Sequence, residues 1–132
     1  MKYLLDTCCV SDFIKGNENT MMKIKSSAPT NIAISSITTM EIAYGLQLNP
    51  DRTKKIKPLL NDFLSCVRIL ALDENEAKLS AQLRAELKAA GTPIGSYDIL
   101  IAATAIAHNL TLITSNMKEF KRVSNLKIED WR

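Results

Sequence analysis

The segment Ile94-Gly-Ser-Tyr-Asp-Ile-Leu-Ile-Ala-Ala-Thr-Ala-Ile-Ala-His108 decides how the rest of the chain is read. Between Ile99 and Ala107 only Thr104 carries a polar side chain, so the helix it predicts is apolar on nearly every face. A helix of that kind belongs in a protein interior, and the run falls well short of the roughly 20 residues that cross a bilayer. Asp98 stands at its N-terminal edge, where the chain enters the core. A buried carboxylate is costly unless it is paired, hydrogen-bonded or metal-bound. The plainest role is local: Ser96 caps the helix, and Asp98 sits in the first turn, favoured by the helix dipole. Three further acids in comparable positions open a second reading, in which they act together.

Working outward, Asp73-Glu-Asn-Glu76 predicts an N-cap followed by first-turn acids. The helix it opens carries Leu79, Leu83 and Leu87 on one face and stops at Gly91-Thr-Pro93. Beyond the central helix, Leu110 to Thr114 predicts a strand, and Leu126-Lys-Ile-Glu129 a further one at the sheet edge. In the N-terminal half, Lys2 to Asp6 predicts a buried strand ending on a carboxylate. Thr7 to Gly16 predicts a turn into a short helix closed by glycine, and Thr20 to Ser26 another helix. Asn31 to Ser35 is the next strand, and Thr38 opens a helix to about Leu48. Ile56, Leu59, Leu60, Phe63 and Leu64 give helical spacing across Asp51 to Cys66, with Pro58 either kinking that helix or starting its second half. Val67 to Leu72 completes the set as a strand. The alternation predicts βαβ units: one domain over residues 1–132, an α/β fold whose parallel sheet is covered on both faces.

Composition narrows the function classes. The chain is 46% hydrophobic and 23% charged, an ordinary globular balance, with neither a membrane-length apolar run nor the pattern of a signal peptide. A cytoplasmic protein is expected. Cys8, Cys9 and Cys66 are an odd count without metal-site spacing, which predicts reduced, buried thiols packing as small hydrophobes. The net charge is +3, and Lys and Arg cluster at Arg52 to Lys57 and at Lys118 to Arg122. That balance suits a nucleic-acid partner, and a solvated face explains it equally well. The lone His108 falls at a helix C-terminus, where the dipole favours it, and Tyr3, Tyr97 and Trp131 are expected to pack.

In an open parallel sheet, ligands bind beyond the carboxyl ends of the strands. Asp6 ends the first strand, Glu41 follows the second, Asp98 opens the helix that feeds the fourth, and Glu119 follows the fourth. All four are therefore expected to converge at one end of the sheet. Each also has a local alternative. Asp6 is a candidate cap, Thr38-x-x-Glu41 a candidate capping box, and Glu119 a surface residue paired with Lys118 or Lys121. Crowded carboxylates raise one another's pKa, and a divalent cation removes that cost. Mg²⁺ and Mn²⁺ prefer oxygen donors and need only one or two direct carboxylates. Such a site suits phosphodiester hydrolysis, in which the ion activates water and neutralises charge on the phosphate.

Asp6-Thr7, Ser36-Ile-Thr-Thr-Met-Glu-Ile-Ala-Tyr-Gly45 and Gly91-Thr-Pro-Ile-Gly-Ser-Tyr-Asp98 resemble the motifs of PIN-domain ribonucleases. With Leu112-Ile-Thr-Ser-Asn-Met-Lys-Glu-Phe120 and the closing Ile128-Glu-Asp-Trp131, the pattern is similar to the VapC toxins of bacterial toxin–antitoxin pairs. The resemblance implies a three-layer α/β/α fold and a Mg²⁺- or Mn²⁺-dependent endoribonuclease that leaves 5′-phosphate and 3′-hydroxyl ends. It also implies inhibition by a VapB-type antitoxin, a homodimer, and an RNA substrate, with the anticodon loop of initiator tRNA the first to try. Asp6, Glu41 and Asp98 carry over as catalytic, metal-binding acids. Many relatives place the fourth acid where this chain has Asn116, whereas the subgroup it most resembles has the amide there and an acid at the position of Glu119. The resemblance therefore assigns Glu119 as a water-mediated ligand or positioner and Asn116 as its polar neighbour. Thr7 and Ser115 are expected to contact phosphate or the water around the ion. Cys8-Cys9 departs from the Asn-Ile or similar pair usual after Asp-Thr. Two rivals remain: a receiver-like phosphoacceptor, which would ordinarily show adjacent acids after the first strand, and a catalytically silent PIN-like binding domain.

Overall fold

The computed structural model describes all 132 residues and consists of a five-stranded sheet with helices on both faces. The strands are β1 (Tyr3–Leu5), β2 (Ile32–Ser35), β3 (Arg68–Leu70), β4 (Thr111–Ile113) and β5 (Ile128–Glu129). The helices are α1 (Thr7–Lys15), α2 (Glu18–Ser26), α3 (Ser36–Leu48), α4 (Pro50–Cys66), α5 (Glu74–Ala89), α6 (Ser96–Ala107) and α7 (Met117–Phe120). Every strand pair is parallel, in the order β3-β2-β1-β4-β5, with Leu5 between Ile34 and Ile113. The expected edge strand is β5.

Because side chains alternate across a strand, each inner strand feeds two cores. Leu4, Ala33 and Leu112 point to one face, where Leu83 and Leu87 of α5 and the apolar surface of α6 cover them. Leu5, Ile34 and Ile113 point to the other, against Val10 and Phe13 of α1, Ile24 of α2, and Leu60 and Phe63 of α4. This is the three-layer arrangement expected from the alternation. The helix α6 is buried as its composition demands, with Ala102, Ala103, Thr104 and Ala105 fully enclosed. Thr104 satisfies its hydroxyl by donating to the Leu100 carbonyl one turn back.

Local signals hold in most places and fail in a few. Gly16 ends α1 at φ 84°, the left-handed cap that only glycine adopts cheaply. Asp73 and Glu76 form a complete capping box on α5. The helix α4 starts with Pro50 at N1 and continues through Pro58 as one element, so the second half does not begin separately there. No helix is long and apolar enough to cross a membrane. Trp131 is buried edge-on to Tyr3, as expected, whereas Tyr97 is 52% exposed and does not pack. Of the three thiols only Cys9 is buried; Cys8 and Cys66 are exposed, against the expectation for all three.

Candidate active site

The strand order reverses between β1 and β4, whose carboxyl ends form a crevice of the kind in which α/β sheets bind ligands. Asp6 follows β1 directly, and its amide donates to the Ile113 carbonyl of β4 at 3.0 Å. Its carboxylate also serves the local role: Oδ1 accepts from the Cys9 amide at 2.7 Å and caps α1. Asp6 is 3% exposed. Burial pushes its carboxyl up to about 6, with Asp12 and Glu41 adding to the rise, while the Thr114 hydroxyl and the Cys9 amide oppose it.

Glu41 reaches the crevice from α3. Ser35 caps that helix by accepting from the Thr38 amide at 3.1 Å, so the Thr38–Glu41 capping box does not form. The helix starts at Ser36, two residues earlier than expected, and Glu41 falls in its second turn, beyond the unpaired amides. It accepts instead from the Thr7 hydroxyl at 2.8 Å. Thr7 Oγ1 lies 3.2 Å from the fully buried Thr38 hydroxyl, which itself meets Ser35, so a short relay of hydroxyls ends on Glu41.

At the start of α6 the N-cap is Gly95, and Ser96 is the first helical residue rather than the cap. Asp98 stands in the first turn, as the sequence indicated. Burial pushes its carboxyl up to about 6, and Glu119, Asp6 and Glu41 each push it the same way. A Cβ at Gly95 would sit 3.3 Å from Asp98 Oδ2 and 3.9 Å from Glu119 Oε1, so glycine is what lets two carboxylates share this corner. Glu119, on the short α7, accepts from Asn116 Nδ2 at 2.7 Å and from the Gly95 amide at 2.8 Å. Those two donors, Asn116 first, hold its carboxyl below the usual range. The surface pairing with Lys118 or Lys121 does not occur; the ion pairs of the chain lie elsewhere. Ser115 lines a narrow crevice with Cys9, Asp12 and Thr114.

Asp98 thus senses the three other acids, yet no three His, Cys, Asp or Glu side chains of the chain converge tightly enough to hold one ion together. The convergence is looser than the sequence suggested, because like charges repel and Glu41 and Glu119 each find a separate donor. The donor set still fits a hard divalent cation. It is all oxygen, and two of its carboxyls have ionised forms that a cation would favour. Thiol chemistry does not compete. Burial, then Asp6 and Asp98, pushes Cys8 up to about 11, and burial pushes Cys9 higher still, so both stay protonated at neutral pH.

Sequence reasoning missed one group behind this site and, away from it, the partner of His108. Asp12 is buried on α1 and accepts from Arg132 Nε at 3.2 Å and Nη2 at 2.8 Å, while its charge adds to the rise at Asp6. An acid on an otherwise apolar helix face was the available signal; a partner 120 residues away left none. His108, at the C-cap of α6 as expected, meets the nearly buried Glu76 at 2.9 Å rather than either cysteine.

A family model described as the PIN domain matches residues 3–126. The chain is 35% identical over 133 residues to the tRNA(fMet)-specific endonuclease VapC of Salmonella typhimurium, covering 99% of this chain and 98% of that one. It is 39% identical, with the same coverage, to Ribonuclease VapC2 of Rickettsia felis. Among solved structures, a chain in the crystal structure of VapBC2 from Rickettsia felis bound to a DNA fragment from their promoter matches with a TM-score of 0.90 at 36% identity. The match covers 100% of both chains. A chain of DNA-bound VapBC from Salmonella typhimurium matches with a TM-score of 0.88 at 36% identity, covering 100% of this chain and 99% of that one.

Proposed function

The chain belongs to the VapC group of the PIN-domain family, and from that premise we propose that it is the toxin of a toxin–antitoxin pair. Its activity is that of an endoribonuclease hydrolysing RNA phosphodiester bonds. A VapB-type antitoxin is the partner, given that the matching structures are VapBC assemblies. We further place it in the cytoplasm, as one domain acting in a homodimer, with tRNA as substrate and the initiator tRNA first among candidates, since one relative is named for that specificity.

The observation that carries this reading is the placement of acids at the switch point, Asp6 directly after β1 and Asp98 in the first turn of α6. Glu41 and Glu119 are close enough to push Asp98 upward, and both Asp6 and Asp98 are raised to about 6. Asp6 and Asp98 are the residues that would hold Mg²⁺, or Mn²⁺ in its place, because theirs are the ionised forms least stabilised by the protein. When bound, such an ion supplies charge neutralisation at the phosphate and leaving oxygen and makes water more acidic. Glu41, fixed through Oε1 by Thr7, keeps its other oxygen to accept a hydrogen bond from the attacking water. Thr7 therefore acts through Glu41, its proton being committed there. Glu119, satisfied by Gly95 and Asn116, acts through water, and Asn116 positions it. Ser115 is left as the hydroxyl contact to phosphate.

Cleavage of total tRNA by the purified, antitoxin-free protein tests this, with Mg²⁺, Mn²⁺ or EDTA, beside Asp6→Asn and Asp98→Asn. Discrete fragments with 5′-phosphate ends, lost with EDTA and in both variants, are expected. Fragments that persist in EDTA would remove the metal from the mechanism, and fragments that persist in both variants would remove Asp6 and Asp98.

A further inference from the structure

A cavity of about 230 Å³ opens beside Thr7 and Glu41, between α1, α3 and α4. Its lining includes two cations, Lys15 from the last turn of α1 and Arg52 from the first turn of α4. Neither takes part in an ion pair; the chain's pairs are Glu74–Lys78, Glu76–His108 and Asp12–Arg132. At roughly 30 Å³ per water the space equals about eight waters, more than a lone ion needs and enough for a phosphate with its sugar. Ile42 and Ile56 give the cavity an apolar surface beside its charges.

Gly45 supplies an independent observation. It lies inside α3, where glycine costs about 1 kcal/mol relative to alanine, and a Cβ built there meets nothing within 4 Å. Packing within the chain does not require it. Gly45 is itself part of the cavity lining, together with Glu41 and Arg52, and its missing side chain takes up none of that space.

The acid crevice alone would repel a polyanion, so a strand crossing it needs cations beside the reacting phosphate rather than at it. We propose that Lys15 and Arg52 form a cationic subsite that holds the phosphate adjoining the scissile bond of single-stranded RNA, with Gly45 leaving room for its ribose. The guanidinium suits bidentate binding of that phosphate, and the lysine adds a point charge. The subsite rests on the nuclease reading above and extends it to how the strand is seated.

The test is binding of a fluorescent single-stranded RNA of about eight nucleotides, a length typical of such sites, measured against salt in Mg²⁺. Asp98→Asn serves as the uncleaving reference. Adding Lys15→Ala with Arg52→Ala is expected to weaken binding at least tenfold and to flatten the slope of log K against log salt by roughly 1.4, which is about 0.7 for each cation removed from a single strand. Adding Lys15→Arg with Arg52→Lys instead keeps the slope. Weaker binding at an unchanged slope marks local damage and overturns the subsite, as does full affinity in the alanine variant. Absence of RNA binding in the wild-type protein as well as in the reference overturns the nuclease reading together with the subsite.

Discussion

At the scale of the residue, the site is a set of acids that the protein stabilises unequally. Glu119 has two donors and sits below the usual carboxyl range, whereas at Asp98 burial and three neighbouring acids all act upward. The folded, metal-free chain therefore binds a proton at Asp98 more readily than the unfolded chain does. Its contribution to stability is full below the ordinary value of 3.8 and is lost as pH rises through about 6. Asp98→Asn is expected to abolish cleavage and to raise metal-free stability at pH 7 by about 1–2 kcal/mol, the full shift being discounted for partial exposure. Thermal unfolding of both proteins from about pH 3.5 to 7 reads this out, with the variant's curve flatter between 3.8 and about 6. A variant less stable than wild type would make Asp98 a helix-start residue and nothing more. These acids were legible in the sequence because each lies shortly after a strand or within the first two turns of a helix. Their hydrogen bonds were not: Glu41 to Thr7 and Glu119 to Gly95 join residues 34 and 24 apart, fixed only once the sheet has formed.

At the scale of the element, alternating strands and helices announced the fold, and the errors sit at helix starts. Ser35 rather than Thr38 caps α3, because Ser35, Ser36, Thr38 and Thr39 offer competing caps, and α6 takes Gly95 rather than Ser96 as its N-cap, without a side-chain cap bond. The α5 start was clearer, since Asp73 and Glu76 satisfy a two-residue pattern. Glu76 also holds α5 to the end of α6 through His108. Burial pushes its carboxyl up, but hydrogen bonds from its own amide, from His108 and from the Asp73 amide more than reverse this, leaving it below the usual value. The sign is opposite to that at Asp98: the stabilisation is present at neutral pH and lost as pH falls through the acid range. Glu76→Ala removes the return bond of the capping box and strands His108, at an expected cost of about 1–3 kcal/mol in chemical denaturation at pH 7, shrinking toward pH 3. A pH-independent cost would reduce Glu76 to packing. In α3, Gly45→Ala meets no obstacle and should stabilise by up to about 1 kcal/mol, or a few degrees in Tm. A destabilised Gly45→Ala would mean that some group not belonging to the isolated fold already lies against that residue.

At the scale of the whole molecule, α3 joins the candidate site to a second surface. Glu41, Ile42 and Gly45 border the cavity beside the acids. Met40, Tyr44 and Leu48, spaced by four along the same helix, are 40%, 63% and 67% exposed. Residues four apart share a helix face, so the three form one apolar stripe that the chain itself leaves uncovered. Scattered exposed apolar residues need no explanation, but a stripe on a helix that also carries a candidate catalytic acid suits association with a second copy. The sequence hid this, because Met40, Tyr44 and Leu48 read equally well as core positions until α4 and α6 are seen to take the other sides of α3. The homodimer proposed for this chain is therefore expected to close over this stripe. Tyr44→Glu with Leu48→Glu should give a monomer by sedimentation while retaining wild-type helical content, since neither side chain supports the core. Its Tm should lose the dependence on protein concentration that a dimer shows. If the doubly substituted protein still sediments as a dimer, the interface lies on another face. Loss of tRNA cleavage in a well-folded monomer would show that the second copy helps hold α3, and with it Glu41, against the crevice.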